Sequence, residues 1–116
     1  MKTVTIAELT ERIDGKLCAG KDAVQKEVLS GCVCDLLSWV MAHAKKGTAW
    51  VTVQTHMNVI AVAGLLEIAC VVLPDGMEAE PAVLEKARET GVTVVSSPKS
   101  AFDIAGVIFG AGVRGV

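Results

Sequence analysis

Side chains able to bind or react are concentrated at four places where an apolar run gives way to a helical pattern. The first is Cys34–Asp35, leading to Ser38. The second is Gln54-Thr55-His56-Met57-Asn58, and the third is Pro74-Asp75-Gly76. The fourth is Ser96-Ser97-Pro98-Lys99-Ser100. The second is the densest: Gln54, Thr55, His56 and Asn58 interrupt a stretch free of Asp, Glu, Lys and Arg from Gly47 to Leu66. They stand where a helix begins, and free backbone N–H groups there favour anions. An imidazole titrates near neutral pH, so His56 can take or give a proton. At the fourth place, hydroxyls and the Lys99 ammonium meet at a helix start, a pattern suited to phosphate. Asp35 is the nearby carboxylate that acid–base chemistry at His56 would need. Each group also has a plainer role. Asp35 is expected to cap a helix, Thr55 or Asn58 to cap the next, Gln54 to tether a loop, and Ser97, followed by Pro98, to cap the last.

The elements that position these residues follow from periodicity. Thr5-Ile-Ala-Glu8 reads as a capping box, with Ile6, Leu9 and Ile13 as the apolar stripe and Gly15 as the stop. A short strand is expected at 16–19, a loop at 20–26 and a strand at 27–34. Asp35 then opens a helix to about Lys46, with Leu36, Leu37, Val40, Met41 and Ala44 on one face. Trp39 and His43, four apart, point away from it. Further strands are expected at 48–54, 68–73 and 92–96. Between them lie helices from His56 to Ile68 and from Pro81 to Gly91. Ser97 opens a final helix with Ala101, Phe102, Ala105, Ile108 and Phe109 inward. Gly106, Gly110 and Gly112 read as a close-packing face ending in a C-cap.

From residue 27 the order is β-α-β-α-β-α-β-α. Its strands are apolar on both faces, and 18 Val and 15 Ala are accompanied by only 2 Trp, 2 Phe and no Tyr. This predicts an α/β fold: one domain over residues 1–116, with a mostly parallel four- to five-stranded sheet and helices on both faces. A net charge of −2 leaves no basic footprint for nucleic acid. The charge-free stretch is long enough to span a bilayer, but its polar centre argues against that. The start of the chain shows no signal-peptide pattern, so a cytoplasmic location is expected, with Cys18, Cys32, Cys34 and Cys70 reduced and the cysteines serving as small core residues. CxC is not the usual zinc spacing. A metal or redox site at Cys32 and Cys34, with His43 or His56, is the alternative. No P-loop, GxSxG, HExxH or GxGxxG pattern occurs.

The helix from Val59 to Leu66 is apolar except at Gly64. A helix apolar all round needs cover on more than one side, so it is expected to lie partly in a homodimer interface.

Asp35-Leu-Leu-Ser38-x-Val-Met41 and Trp50-Val-Thr-Val-Gln54-Thr-His-x-Asn58-Val-Ile-Ala-Val-Ala63 resemble the DRTGG-domain family. The later runs Val83-Leu-Glu-Lys-Ala87, Gly91-Val-Thr-Val-Val-Ser-Ser97 and Phe102-x-Ile-Ala105 are similar too. The Asp-Arg-Thr-Gly-Gly string that names the family is absent. The resemblance implies an α/β domain, usually non-catalytic, which pairs in homodimers and accompanies nucleotide-sensing CBS pairs in regulated pyrophosphatases. Single-domain versions accompany hydrogenase and NADH-oxidising flavoprotein subunits.

The resulting expectation is a regulatory or scaffold module without a metal or cofactor. It would be homodimeric, binding a nucleotide-like small molecule or docking to redox-enzyme subunits. Gln54, Thr55, His56 and Asn58 would line the ligand site, with Asp35, Ser97 and Lys99 assisting. The alternative is a small acid–base or phosphotransfer enzyme using His56.

Overall fold

The capping box forms as its residues predict. In the computed structural model, which describes residues 3–116, Thr5 Oγ1 accepts from the Glu8 N–H at 3.1 Å, and Glu8 Oε1 accepts from the Thr5 N–H at 3.0 Å. The chain then runs β1 (Val4–Thr5), α1 (Ile6–Arg12), β2 (Lys16–Ala19), a 3₁₀ turn (Lys21–Ala23), β3 (Glu27–Val28) and β4 (Ser30–Val33). It continues through α2 (Leu37–His43), β5 (Thr48–Val51), α3 (Met57–Leu66), β6 (Cys70–Leu73), α4 (Pro81–Thr90), β7 (Val94–Ser96) and α5 (Ala101–Gly110).

The main sheet has the order β2-β7-β6-β5-β4. β4 to β7 are parallel, and β2 joins β7 antiparallel. The single strand expected over 27–34 is two strands. β3 pairs antiparallel with β1, whereas β4 joins the main sheet. The change of partner falls at Leu29, whose N–H donates to the Gly47 carbonyl at 2.8 Å.

Alternation along the strands divides the core in two. Cys32, Trp50, Val71, Leu73 and Val94 pack beneath α2, α3 and α4. Ala49, Val51, Cys70, Val72 and Val95 pack beneath α1 and α5. The parallel strands are laid down in one direction, and crossovers of one hand keep their helices on one face. Accessible surface is 6231 Å², close to the roughly 6,000 Å² that scales with this mass.

Several helical faces differ from the pattern. In α2, Val40 is buried and Leu37 and Ala44 half-buried, but Leu36 and Met41 are exposed. α2 also stops at His43 instead of Lys46. Thr48 is the cause: its hydroxyl donates to the Lys45 carbonyl at 2.7 Å and accepts the Lys45 N–H at 3.2 Å, drawing these residues out of the helix. In α5, Ile104 and Ile108 face inward, whereas Phe102 and Phe109 are 87% and 60% exposed. Gly106 and Gly110 lie on that open side with nothing within 4 Å of an added Cβ, so they form no close-packing face within the chain. α3 buries Val59, Ile60, Val62 and Ala63 and exposes Ala61, Gly64 and Leu65. Among the described residues, no helix is long and apolar enough to cross a membrane.

Candidate functional site

The carboxyl ends of β4 to β7 carry all four polar junctions, and the structure ties them together in pairs. At the first, Asp35 does not cap α2; the N-cap is Leu36, with no side-chain bond. Asp35 Oδ1 instead accepts from the Thr52 hydroxyl at 2.8 Å and from the Val53 N–H at 2.9 Å. Gln54 Nε2 donates to the Asp35 carbonyl at 3.0 Å, and the Gln54 N–H donates to Thr52 Oγ1 at 3.1 Å. Trp50, fully buried, donates its indole N–H to the Cys34 carbonyl at 2.8 Å. Once β4 and β5 end, their backbone groups have no ladder, and these side chains supply the missing partners. Gln54 is thus a tether, as the plainer reading expects.

The start of α3 is different. Its N-cap is His56, with no side-chain capping bond, so neither Thr55 nor Asn58 caps it. Thr55, His56 and Asn58 form no side-chain hydrogen bond or ion pair among the described residues, and His56 and Asn58 are exposed. α4 likewise begins at Glu80 without a side-chain cap. α2, α3 and α4 therefore all present open first-turn N–H groups at the same edge of the sheet.

The third and fourth junctions hold each other. The Gly76 N–H donates to the Ser97 carbonyl at 2.8 Å, and the Asp75 N–H donates to the Lys99 carbonyl at 2.8 Å. Ser96 Oγ donates to the Met77 carbonyl at 2.7 Å. Ser97 is buried and does not cap α5. Its hydroxyl donates to the Ile13 carbonyl at 2.6 Å and accepts the Lys99 N–H at 3.1 Å. The cap is Ser100, which accepts from the Asp103 N–H at 3.1 Å. The Lys99 ammonium lies 3.6 Å from the Asp14 carboxylate.

Gln54, Thr55 and His56 line a cavity of only about 10 Å³, closed by Val59, Leu73 and Val83. That is room for about one water. Asp35, Asn58, Ser97 and Lys99 do not line it. The strand order explains the closure. Open α/β sheets form a ligand crevice where strand order reverses, and β4 to β7 run without a reversal.

All four cysteines are free thiols, and no group of three metal-ligating side chains occurs among the described residues. Burial pushes the Cys18 thiol up. It does the same to Cys32, with the neighbouring Cys34 adding to the effect. Cys70, wholly enclosed, is pushed up to about 12. Trp39 and His43 stack at 4.0 Å on the outer side of α2, and His43 Nδ1 lies 2.9 Å from the Trp39 carbonyl oxygen.

A larger cavity, of about 520 Å³, lies at the opposite edge of the sheet. Lys26, Lys46, Glu67 and Thr93 are among its lining residues. They come from four separate segments with no shared spacing, so no sequence motif marks them.

The family model of the DRTGG domain matches residues 8–111. Among solved structures, the chain is similar to the CBS and DRTGG domains of the regulatory region of Clostridium perfringens pyrophosphatase, crystallised with the activator diadenosine tetraphosphate. The TM-score is 0.71 at 13% identity, covering 86% of this chain and 44% of that one. This chain therefore spans less than half the length of that relative, and the likeness shows a shared fold. No curated protein sequence matches. The model covers nearly the whole chain, and the mostly parallel sheet agrees with it: the chain belongs to the DRTGG-domain family.

Proposed function

We propose that this chain is a non-catalytic regulatory module that acts by binding, as a homodimer in the cytoplasm. The observation that carries the reading is how the candidate residues are used. Asp35, Gln54, Ser97 and Lys99 are engaged in holding the junctions. Thr55, His56 and Asn58 have no such engagement and stand beside the open N–H groups of α3. Polar groups without an internal role at a helix start suit an anionic ligand. A nucleotide-like molecule would place its phosphate there, with His56 and Asn58 as donors. Its remainder would lie outside the small cavity. The family's regulatory setting supports this, as does the similar pyrophosphatase region crystallised with a dinucleotide. Thr52 and Val53 both bind Asp35 Oδ1 and commit that side chain to the strand ends, which supports binding over acid–base chemistry at His56.

A second reading is docking to a redox-enzyme subunit. The exposed Leu36, Trp39 and Met41 of α2 favour it, because Trp is enriched at binding hot spots. Native mass spectrometry of freshly purified protein tests both readings. A dimer carrying a nucleotide-sized mass supports ligand sensing. A bare dimer directs the search to hydrogenase or NADH-oxidising subunits in a pull-down. A bare monomer that captures neither overturns the proposal.

A further inference from the structure

The cavity of about 520 Å³ lies where the amino ends of β5, β6 and β7 meet the carboxyl ends of α3 and α4. Ala63, Ile68 and Val92 give it an apolar wall. Thr93 also lines it. That residue is only 1% exposed, and its hydroxyl makes no hydrogen bond among the described residues. No buried side-chain polar atom lacks a hydrogen-bond partner among the described residues, so this hydroxyl keeps contact with the water of the cavity.

Charge on the rim has two signs. Lys26 and Lys46 provide cations, and neither forms an ion pair among the described residues. Glu67 provides a carboxylate, also unpaired. Glu27 lies on the same rim, with its carboxylate accepting from the Thr3 hydroxyl at 3.0 Å. Glu67 ends α3 in the left-handed region, at φ 55°. The last carbonyls of α3 and α4 therefore add negative potential on that side. A simple anion would be drawn to the lysines and repelled by the helix ends, and a simple cation would meet the reverse. A molecule carrying both charges satisfies both sides.

We propose that this cavity binds a small zwitterion with an apolar body, the chemistry of a free apolar α-amino acid. The carboxylate lies toward Lys26 and Lys46, the ammonium toward Glu67 and the helix carbonyls, and the side chain on Ala63, Ile68 and Val92. The Thr93 hydroxyl exchanges water for the ligand. This site stands at the far edge of the sheet from His56 and Asn58 and does not depend on the function assigned to them.

Calorimetric titration of the full chain with L-leucine and L-phenylalanine tests the proposal. 3-Phenylpropionate and 2-phenylethylamine serve as analogues with one charge removed. At least one amino acid should bind saturably, and each single-charge analogue should bind about tenfold more weakly or less. Lys46→Gln and Glu67→Gln, both at exposed positions, should each weaken binding by about fivefold or more while the circular dichroism stays unchanged. The double variant His56→Ala/Asn58→Ala should bind as the parent does. The proposal is overturned if neither amino acid saturates, if a single-charge analogue binds equally well, or if the rim variants leave affinity unchanged.

Discussion

The Asp35 carboxylate holds the Thr52 hydroxyl at 2.8 Å across the ends of two parallel strands. The contact joins the chain leaving β4 to the chain leaving β5, with the Val53 N–H on the same oxygen. Asp35 is therefore a strap, and its removal exposes Thr52, which is 1% exposed, to an unmet hydrogen bond. Asp35→Ala should lower stability by about 1–2 kcal/mol. Thr52→Val in the same background should cost less than it does alone, because the two share one interaction. Urea denaturation of the four proteins of the cycle measures this. Additive losses would mean that the strap carries no coupling.

His56 and Asn58 lie outside every such network. The double alanine variant should unfold within about 0.5 kcal/mol of the parent. Its retention of the ligand or subunit captured by the parent should fall about tenfold or more. Unchanged capture would remove both residues from the binding site.

Cys70 makes stability sensitive to alkali. Burial raises its folded-state value from 9.0 to about 12, so an unfolded chain loses this proton first. Between those values the unfolded state binds fewer protons, and stability falls as pH rises. Below about pH 9 both states keep the proton and the effect vanishes. Cys70→Ala should flatten the decline in denaturation midpoint between pH 9 and 11. Parallel curves for the two proteins would show that another group governs alkaline unfolding.

Gly20 has φ 88°, and an added Cβ would meet the Thr93 Cα at 2.6 Å. That neighbour is backbone and cannot swing aside. Gly20→Ala should destabilise by more than about 1 kcal/mol, read from thermal denaturation. Gly76→Ala is the control: its φ is 67°, but nothing lies within 4 Å, so it carries only the conformational cost. Equal losses at the two sites would remove the steric part of the account.

The outer side of α3 tests the dimer. Leu65 is 71% exposed beside Ala61 and Gly64. If this side is the interface, Leu65→Glu should halve the mass seen by light scattering and leave the monomer folded. An unaltered dimer would place the interface elsewhere, and a parent that is already monomeric would remove it.

The order of elements was legible because each carries its own punctuation: Thr5 and Glu8 at α1, Pro81 at the start of α4 and Gly91 at its end. Strand alternation likewise foretells which of Ala49, Trp50 and Val51 face each core layer. The caps of α2 and α5 were misread because Asp35 and Ser97 have the right type at the right spacing. Tertiary partners claim them first: Thr52 for one and the Ile13 carbonyl for the other. The outward faces of Phe102 and Phe109 had a different cause. At 3.6 residues per turn they lie across α5 from Ile104 and Ile108, and apolar type alone does not tell which of the two sides the sheet covers. The rim of Lys26, Lys46 and Glu67 had no linear signal, since only folding brings those segments together.

The sheet order also dictates a timetable for synthesis. β5, β6 and β7 each pair with the strand made just before, so this part can grow by addition as the chain emerges. β2 is made early yet, among the described residues, has its only sheet partner in β7, with Leu17 opposite Val95. Its pairing must wait for almost the whole chain, and such distant closures are slow. During that wait, Leu17 and Ala19 have no strand beside them, and an edge is open to another nascent chain. A ribosome-bound chain halted before residue 94 should therefore be the species most prone to aggregate, and release of the last strand is what ends its exposure.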